Sequence, residues 1–207
     1  MTLFLGKTAV SPVINVGGNS DTPSVKDKLL QRVIDDSNNE IGTVSGFFTD
    51  KNDVEYAVVC LDATYRNSSA QWASATGNVT NMPLYDNWTI WEAPETATEN
   101  TTLILASKTS SACTHCRSKS FTIGGVTYYG QLPNIIELVD IARHRTAINA
   151  ADTSGGSITI ATNNNYWSSN QCNSSTGWRI YFTGNAGYDG KTGNSYVCPV
   201  LEIPNAL

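Results

Sequence analysis

Apolar and polar residues alternate through Trp178, Arg179, Ile180, Tyr181 and Phe182, the period of a strand that buries Trp178, Ile180 and Phe182 and turns Arg179 and Tyr181 outward. A second strand is expected from Tyr196 to Leu201, with Val197 and Val200 inward and Pro204 ending it. The stretch between them, TGNAGYDGKTGNS, reads as a glycine-rich loop with Tyr188 as an aromatic anchor. Further upstream, Gly42 to Phe48 and Glu55 to Asp62 flank the polar turn Thr49 to Asp53 and predict a hairpin. Three helices are expected. Val25, Leu29, Leu30 and Val33 recur at helical spacing behind a Ser24 cap, predicting a helix over 25–35. Another runs from Glu99 to about Ser118 behind Thr96 or Thr98, with Leu103, Ile104, Ala112 and Cys116 inward. The third starts at Asn134, where Glu137 three residues on completes a capping box and Ile135, Leu138, Val139 and Ala142 form the apolar face. A helical turn is expected around Trp72, and Trp88 and Trp91 read as core or loop anchors in preference to ligand-stacking groups.

From Asn163 to Cys198 most residues are Asn, Ser, Gly or Tyr, pinned by Trp167, Trp178, Ile180, Phe182 and Val197. Tyr and Trp give contact area at low side-chain entropy cost, and Ser, Gly and Asn give adaptable hydrogen bonding, the alphabet of antibody binding loops. That combination points to a binding surface. An ordinary Gly/Asn-rich loop between two strands has the same composition.

Four ordered motifs carry a resemblance over residues 120 to 203: Leu132-Pro133 with Glu137-Leu138, then Trp167-Ser168-Ser169, then Trp178 to Phe182, then Val197-Cys198-Pro199-Val200. As a set they resemble the C-terminal domain of bacterial and phage proteins with a C-type lectin fold. Within that family the Asn- and Ser-filled stretch is similar to variable proteins of diversity-generating retroelements, the major tropism determinant kind, in which this region is randomised to bind ligands. Cys198 stands where the family usually has Arg, so any ion pair of that Arg is absent here. The fold family also includes formylglycine-generating oxidases, and an enzyme reading of that sort would use Cys172 and Cys198.

A charged fraction of 15% and a net charge of -5 leave no basic stripe, which argues against nucleic acid as a partner. No stretch is long enough to span a bilayer. The N-terminal segment Leu3 to Val16, closed by Gly17 and Gly18, reads as an extended arm without a signal-peptide leader; a frayed terminus fits the same residues. Residues 1–20 are therefore expected to be an arm or oligomerisation segment, and residues 21–207 a single domain.

Five cysteines are present. Cys113 and Cys116, in a Cys-Thr-His-Cys run, lack the further ligands a zinc site needs and read as helix core positions. Cys172 and Cys198 could bridge, although a reducing cytoplasm makes disulfides unexpected. Both histidines fall in expected helices, with Arg143, His144 and Arg145 forming a solvated helix end. Asp62, Glu92, Asp140 and Asp189 show no spacing that would pair two of them for glycoside hydrolysis.

The expected protein is thus α+β, a C-type lectin fold with two or three helices packed on small antiparallel sheets and a short N-terminal arm. Its expected role is ligand binding without catalysis or a cofactor, at a phage tail-fibre tip assembled in the bacterial cytoplasm. A bacterial cell-surface protein or glycan is the expected partner, with other tail proteins met through the arm and a homotrimer raising avidity. The candidate contact residues are Tyr166, Ser168, Asn170, Gln171, Cys172, Asn173, Ser174, Arg179, Tyr181, Asn185, Tyr188 and Asn194. A structural virion or cell-surface protein without a specific ligand is the alternative.

Overall fold

A computed structural model describes residues 13–14, 28–181 and 185–204 of the chain, and the fold is mixed α+β. The first sheet has the order β1 (Val13–Ile14), β2 (Arg32–Ile34), β3 (Glu40–Thr49), β4 (Glu55–Leu61), β12 (Val200–Pro204). The second has the order β10 (Asn185–Gly190), β9 (Thr176–Tyr181), β8 (Asn165–Gln171), β11 (Asn194–Val197), β5 (Asn67–Gln71). A separate hairpin joins β6 (Ser120–Ile123) to β7 (Val126–Tyr129). The helices are α1 (Ala97–Ser107), α2 (Ser111–Arg117) and α3 (Ile135–Ala151).

Strand alternation feeds opposite sides of the first sheet. Val58 and Cys60 of β4 join Phe48 in a core shared with Leu138 and Ile141 of α3 and with Tyr166, Trp178 and Ile180 of the second sheet. Val59 and Leu61 point the other way, into a cluster with Ile41, Val44, Leu201 and Ile123 that the β6–β7 hairpin covers. Helix α3 sits close on β3 because position 46 is glycine: a Cβ there would lie 2.4 Å from the Asp140 carboxylate. The third cluster places Trp72 and Trp167 against Ile104, Cys113 and Cys116.

The hairpin and the third helix form as the residue pattern predicts. Asn134 accepts from the Glu137 amide at 2.9 Å, and Glu137 accepts from the Asn134 amide at 2.8 Å. Thr96 and Glu99 make the same box on α1. Other expectations are overturned. Residues 25–27 lie outside the described residues, and the remainder of the expected first helix turns at Leu29 and Leu30, the latter left-handed at φ 63°, and then runs extended as Arg32–Ile34 paired to β3. Tertiary partners decide this, since Arg32 donates to both oxygens of buried Asp62, at 2.6 and 2.5 Å, and to Thr43 at 3.0 Å. The single helix expected over 99–118 is two, because Lys108 turns extended and Ser110 recaps α2 by accepting from the Cys113 amide. No helical turn surrounds Trp72. Its indole follows strand β5 into the core and donates to the Ser168 carbonyl at 2.8 Å. Helix α3 continues to Ala151, so Arg143, His144 and Arg145 are mid-helix, and His144 Nδ1 lies 2.8 Å from the Ser45 carbonyl. The arm expected over residues 1–20 lies outside the described residues apart from β1, which runs parallel to β2.

Candidate functional site

The expected final strand is broken at Cys198 and Pro199 into β11 and β12. The expected loop between the strands contains one of its own: Asn185–Gly190 pairs antiparallel with β9 along its full length. Phe182 and the two residues after it lie outside the described residues. Register then assigns the faces. Arg179 stands opposite Gly187, and Tyr181 opposite Asn185, so these positions and Asp189, two beyond Gly187, share one side. Trp178 stands opposite Tyr188, and Ile180 opposite Ala186, on the other.

The open side is organised around Arg179. Its Nη1 donates to Asp189 Oδ2, its Nη2 donates to the Tyr181 hydroxyl at 2.6 Å, and the guanidinium carbon lies 5.0 Å from the Tyr181 ring centre. Gly187 leaves room for that ring, since a Cβ there would come within 3.3 Å of Tyr181 Cε2. Asp189 also accepts from the Gly190 amide. Arg, Tyr, Asp and Asn side chains are thereby fixed on two paired strands, a surface that can give and accept hydrogen bonds and stack on a flat group. From the sequence alone Asp189 reads only as a catalytic carboxylate. Period-two alternation read through 185–190 would have placed it beside Asn185.

Tyr188 is half exposed on the opposite side, where its ring meets Trp178 edge to face, with centres 5.6 Å apart. The candidate residues therefore do not form one surface. Asn185, Asn194, Asn173 and Ser174 are exposed, Cys172 and Tyr181 are partly buried, and the Arg179 side chain is mostly covered, at 13% exposure. Asn173 is also a turn former, its side chain accepting from the Ser175 and Thr176 amides at 2.8 and 2.9 Å.

Four candidates are core residues instead. Tyr166 is fully buried; its hydroxyl accepts from the Ala161 amide, and desolvation pushes its pKa up to about 12. Ser168 accepts from the Asn170 amide at 3.2 Å. Asn170 reaches the start of α3, where Oδ1 accepts from the Ile135 amide at 2.9 Å. Gln171 holds the segment before α1, accepting from the Val79 amide and donating to the Met82 carbonyl. Asn, Ser and Gln are as suited to satisfying buried backbone groups as to meeting a ligand, so residue type alone does not separate the two uses.

Chemistry elsewhere is tied into the fold. Cys113 and Cys116 are buried helix positions, as expected, and His115 Nε2 lies 2.7 Å from the Tyr65 carbonyl. The bridge considered between Cys172 and Cys198 is absent. Both are free thiols, and Cys198 Sγ lies 3.2 Å from Cys60 Sγ. Asp62, Asp140 and Asp189 each pair with a different arginine, and Glu92 stands in solvent. An acidic pair that residue spacing did not reveal is Glu137 with Glu202. Burial, and then the neighbouring Glu202, hold Glu137 well above the carboxylate range, while Glu202 accepts from the Ala97 and Thr98 amides at 2.7 and 2.9 Å. Among the described residues, no helix is long and apolar enough to cross a membrane.

No protein-family model matches the chain, and no curated protein matches it significantly. Among solved structures, a fimbrial protein from Bacteroides ovatus shares the fold at a TM-score of 0.58 and 14% identity, with 80% of this chain covered. The match spans 44% of that protein's own length.

Proposed function

We propose that this chain is a ligand-binding protein of the C-type lectin fold, using the open side of β9 and β10 to recognise a bacterial cell-surface protein or glycan from a phage tail-fibre tip. The observation that carries the reading is the placement of Arg179, Tyr181, Asn185 and Asp189 on one face of two paired strands whose other face is anchored by Trp178 and Ile180. Anchoring matters because contact groups held on strands lose little freedom when a ligand arrives. The resemblance adds support: its motifs fall on the start of α3, on β8, on β9 and on β11 with β12, which pack around one core. Cys172, Asn173, Ser174 and Asn194 extend the surface at the strand ends.

Adsorption of the purified protein to host cells tests this. Tyr181→Ala with Asn185→Ala should abolish adsorption with the circular dichroism spectrum unchanged, and undiminished adsorption sinks the reading. A second reading, a structural virion or cell-surface protein without a specific ligand, draws on the fold shared with a protein described as fimbrial. Under it, no substitution on the open face changes adsorption and particle assembly is the property that suffers.

A further inference from the structure

Three of the five tryptophans, Trp72, Trp167 and Trp178, are buried at 0 to 2% exposure, whereas Trp88 is 85% exposed and Trp91 46%. The core role expected for the latter two is therefore overturned. Ile90 between them takes the core position instead, at 0% exposure among Ile135 and Leu138. The backbone beneath the two indoles is braced. Asp86 Oδ1 accepts from the Trp88 and Thr89 amides and from the Thr89 hydroxyl, each at 2.9 Å, and the Ile90 amide donates to the Asp86 carbonyl at 3.2 Å. Trp88 caps the 3-10 turn Thr89–Glu92 with a helical backbone (φ -100°, ψ -43°), and residues three apart in such a turn eclipse, so the Trp88 and Trp91 side chains leave it on the same side as one ridge.

We propose that this ridge is a second ligand site, which stacks on the ring faces of a neutral saccharide chain. It specifies a glycan where the ligand-binding reading leaves protein or glycan open, and it rests on residues outside the β9–β10 face. Area and charge select the occupant. A fully covered aromatic side chain buries about 150–250 Å², so the two partly exposed indoles together offer roughly 300 Å². A stable protein interface takes about 800 Å² from each partner, so the ridge is too small for one and suits a chain of a few sugar rings. Asp86 and Glu92 are exposed beside the indoles in a chain of net charge -5, which disfavours anionic lipid and nucleic acid phosphates. A pyranose meets both halves of the ridge. Its apolar C–H face covers the electron-rich face of an indole, and its hydroxyls donate to the flanking carboxylates.

Fluorescence separates the exposed indoles from the buried three. Acrylamide quenching and emission maxima are to be followed while the full chain is titrated with mannan, dextran or a chitin oligosaccharide, and in parallel with phosphatidylglycerol vesicles. The expected result is protection from acrylamide with a blue shift of emission for at least one saccharide and none for the vesicles. Trp88→Ala with Trp91→Ala should lose both signals at an unchanged circular dichroism spectrum. Tyr181→Ala with Asn185→Ala should keep them even where host-cell adsorption is lost, so the two sites fail independently. Protection by vesicles alone, no protection by any saccharide, or protection that survives in the double tryptophan variant overturns the proposal.

Discussion

Lys191 has no ion-pair partner among the described residues. It is completely buried, with Nζ 4.7 Å from the Trp72 ring centre and donating to the Gly77 carbonyl and Gln171 Oε1 at 3.0 Å each. Burial first, and then Lys108, pull its pKa down from 10.5 to about 8. Between those values the unfolded chain binds a proton that the folded chain has released, so unfolding takes up a proton and stability rises with pH across that window. Below pH 8 the fold instead carries the cost of a buried charge. The stability of the wild type relative to Lys191→Met, from urea melts at pH 7 to 10.5, should climb by on the order of 1–3 kcal/mol. A flat difference would mean that the ammonium keeps its ordinary pKa. Taking the difference between two proteins cancels the titration of the tyrosines and cysteines common to both.

At the scale of elements, local chemistry was readable wherever it was self-contained. The capping box of Asn134 and Glu137, the hairpin turn over 49–53 and the alternation of Trp178 to Tyr181 each involve residues close in sequence. Elements that depend on distant partners were not readable. β2 owes its extended form to Asp62 and β3. β10, spelled Asn-Ala-Gly-Tyr-Asp-Gly, has no β-branched residue and is a strand only by pairing with β9. The candidate site divides along the same line. Alternation in β9 sets Arg179 and Tyr181 on the face opposite Trp178 and Ile180, whereas residue type points Asn170 and Gln171 to a ligand because their partners, the α3 amide and the 79–82 segment, are remote in sequence. Asn170→Ala should accordingly cost about 1–3 kcal/mol in a urea melt, through the orphaned Ile135 amide. Exposed Asn194→Ala should stay within about 0.5 kcal/mol. Equal effects at the two positions would remove the distinction between framework and surface.

For the whole molecule, that distinction limits how the 163–198 region can vary. The sheet that sets Arg179, Tyr181, Asn185 and Asp189 on one face of β9 and β10 also closes the central core through Tyr166 of β8 and Trp178 and Ile180 of β9, while Asn170 and Gln171 of β8 and Lys191, just after β10, tie down α3 and the 72–85 segment. A surface diversified to meet new ligands can change the first group at small cost, whereas each change in the second opens a cavity or strands a buried polar group, at about 1–5 kcal/mol. A domain whose total stability is about 5–15 kcal/mol tolerates few of these. Deep sequencing of the coding DNA for residues 160–200 across a population should therefore find substitutions gathered at Asn173, Ser174, Arg179, Tyr181, Asn185, Tyr188 and Asn194. Tyr166, Ser168, Asn170 and Gln171 should be nearly constant although they share the same alphabet. Variation spread evenly over both groups contradicts the division that burial imposes, and a locus uniform throughout removes diversification while leaving a fixed binding or structural domain.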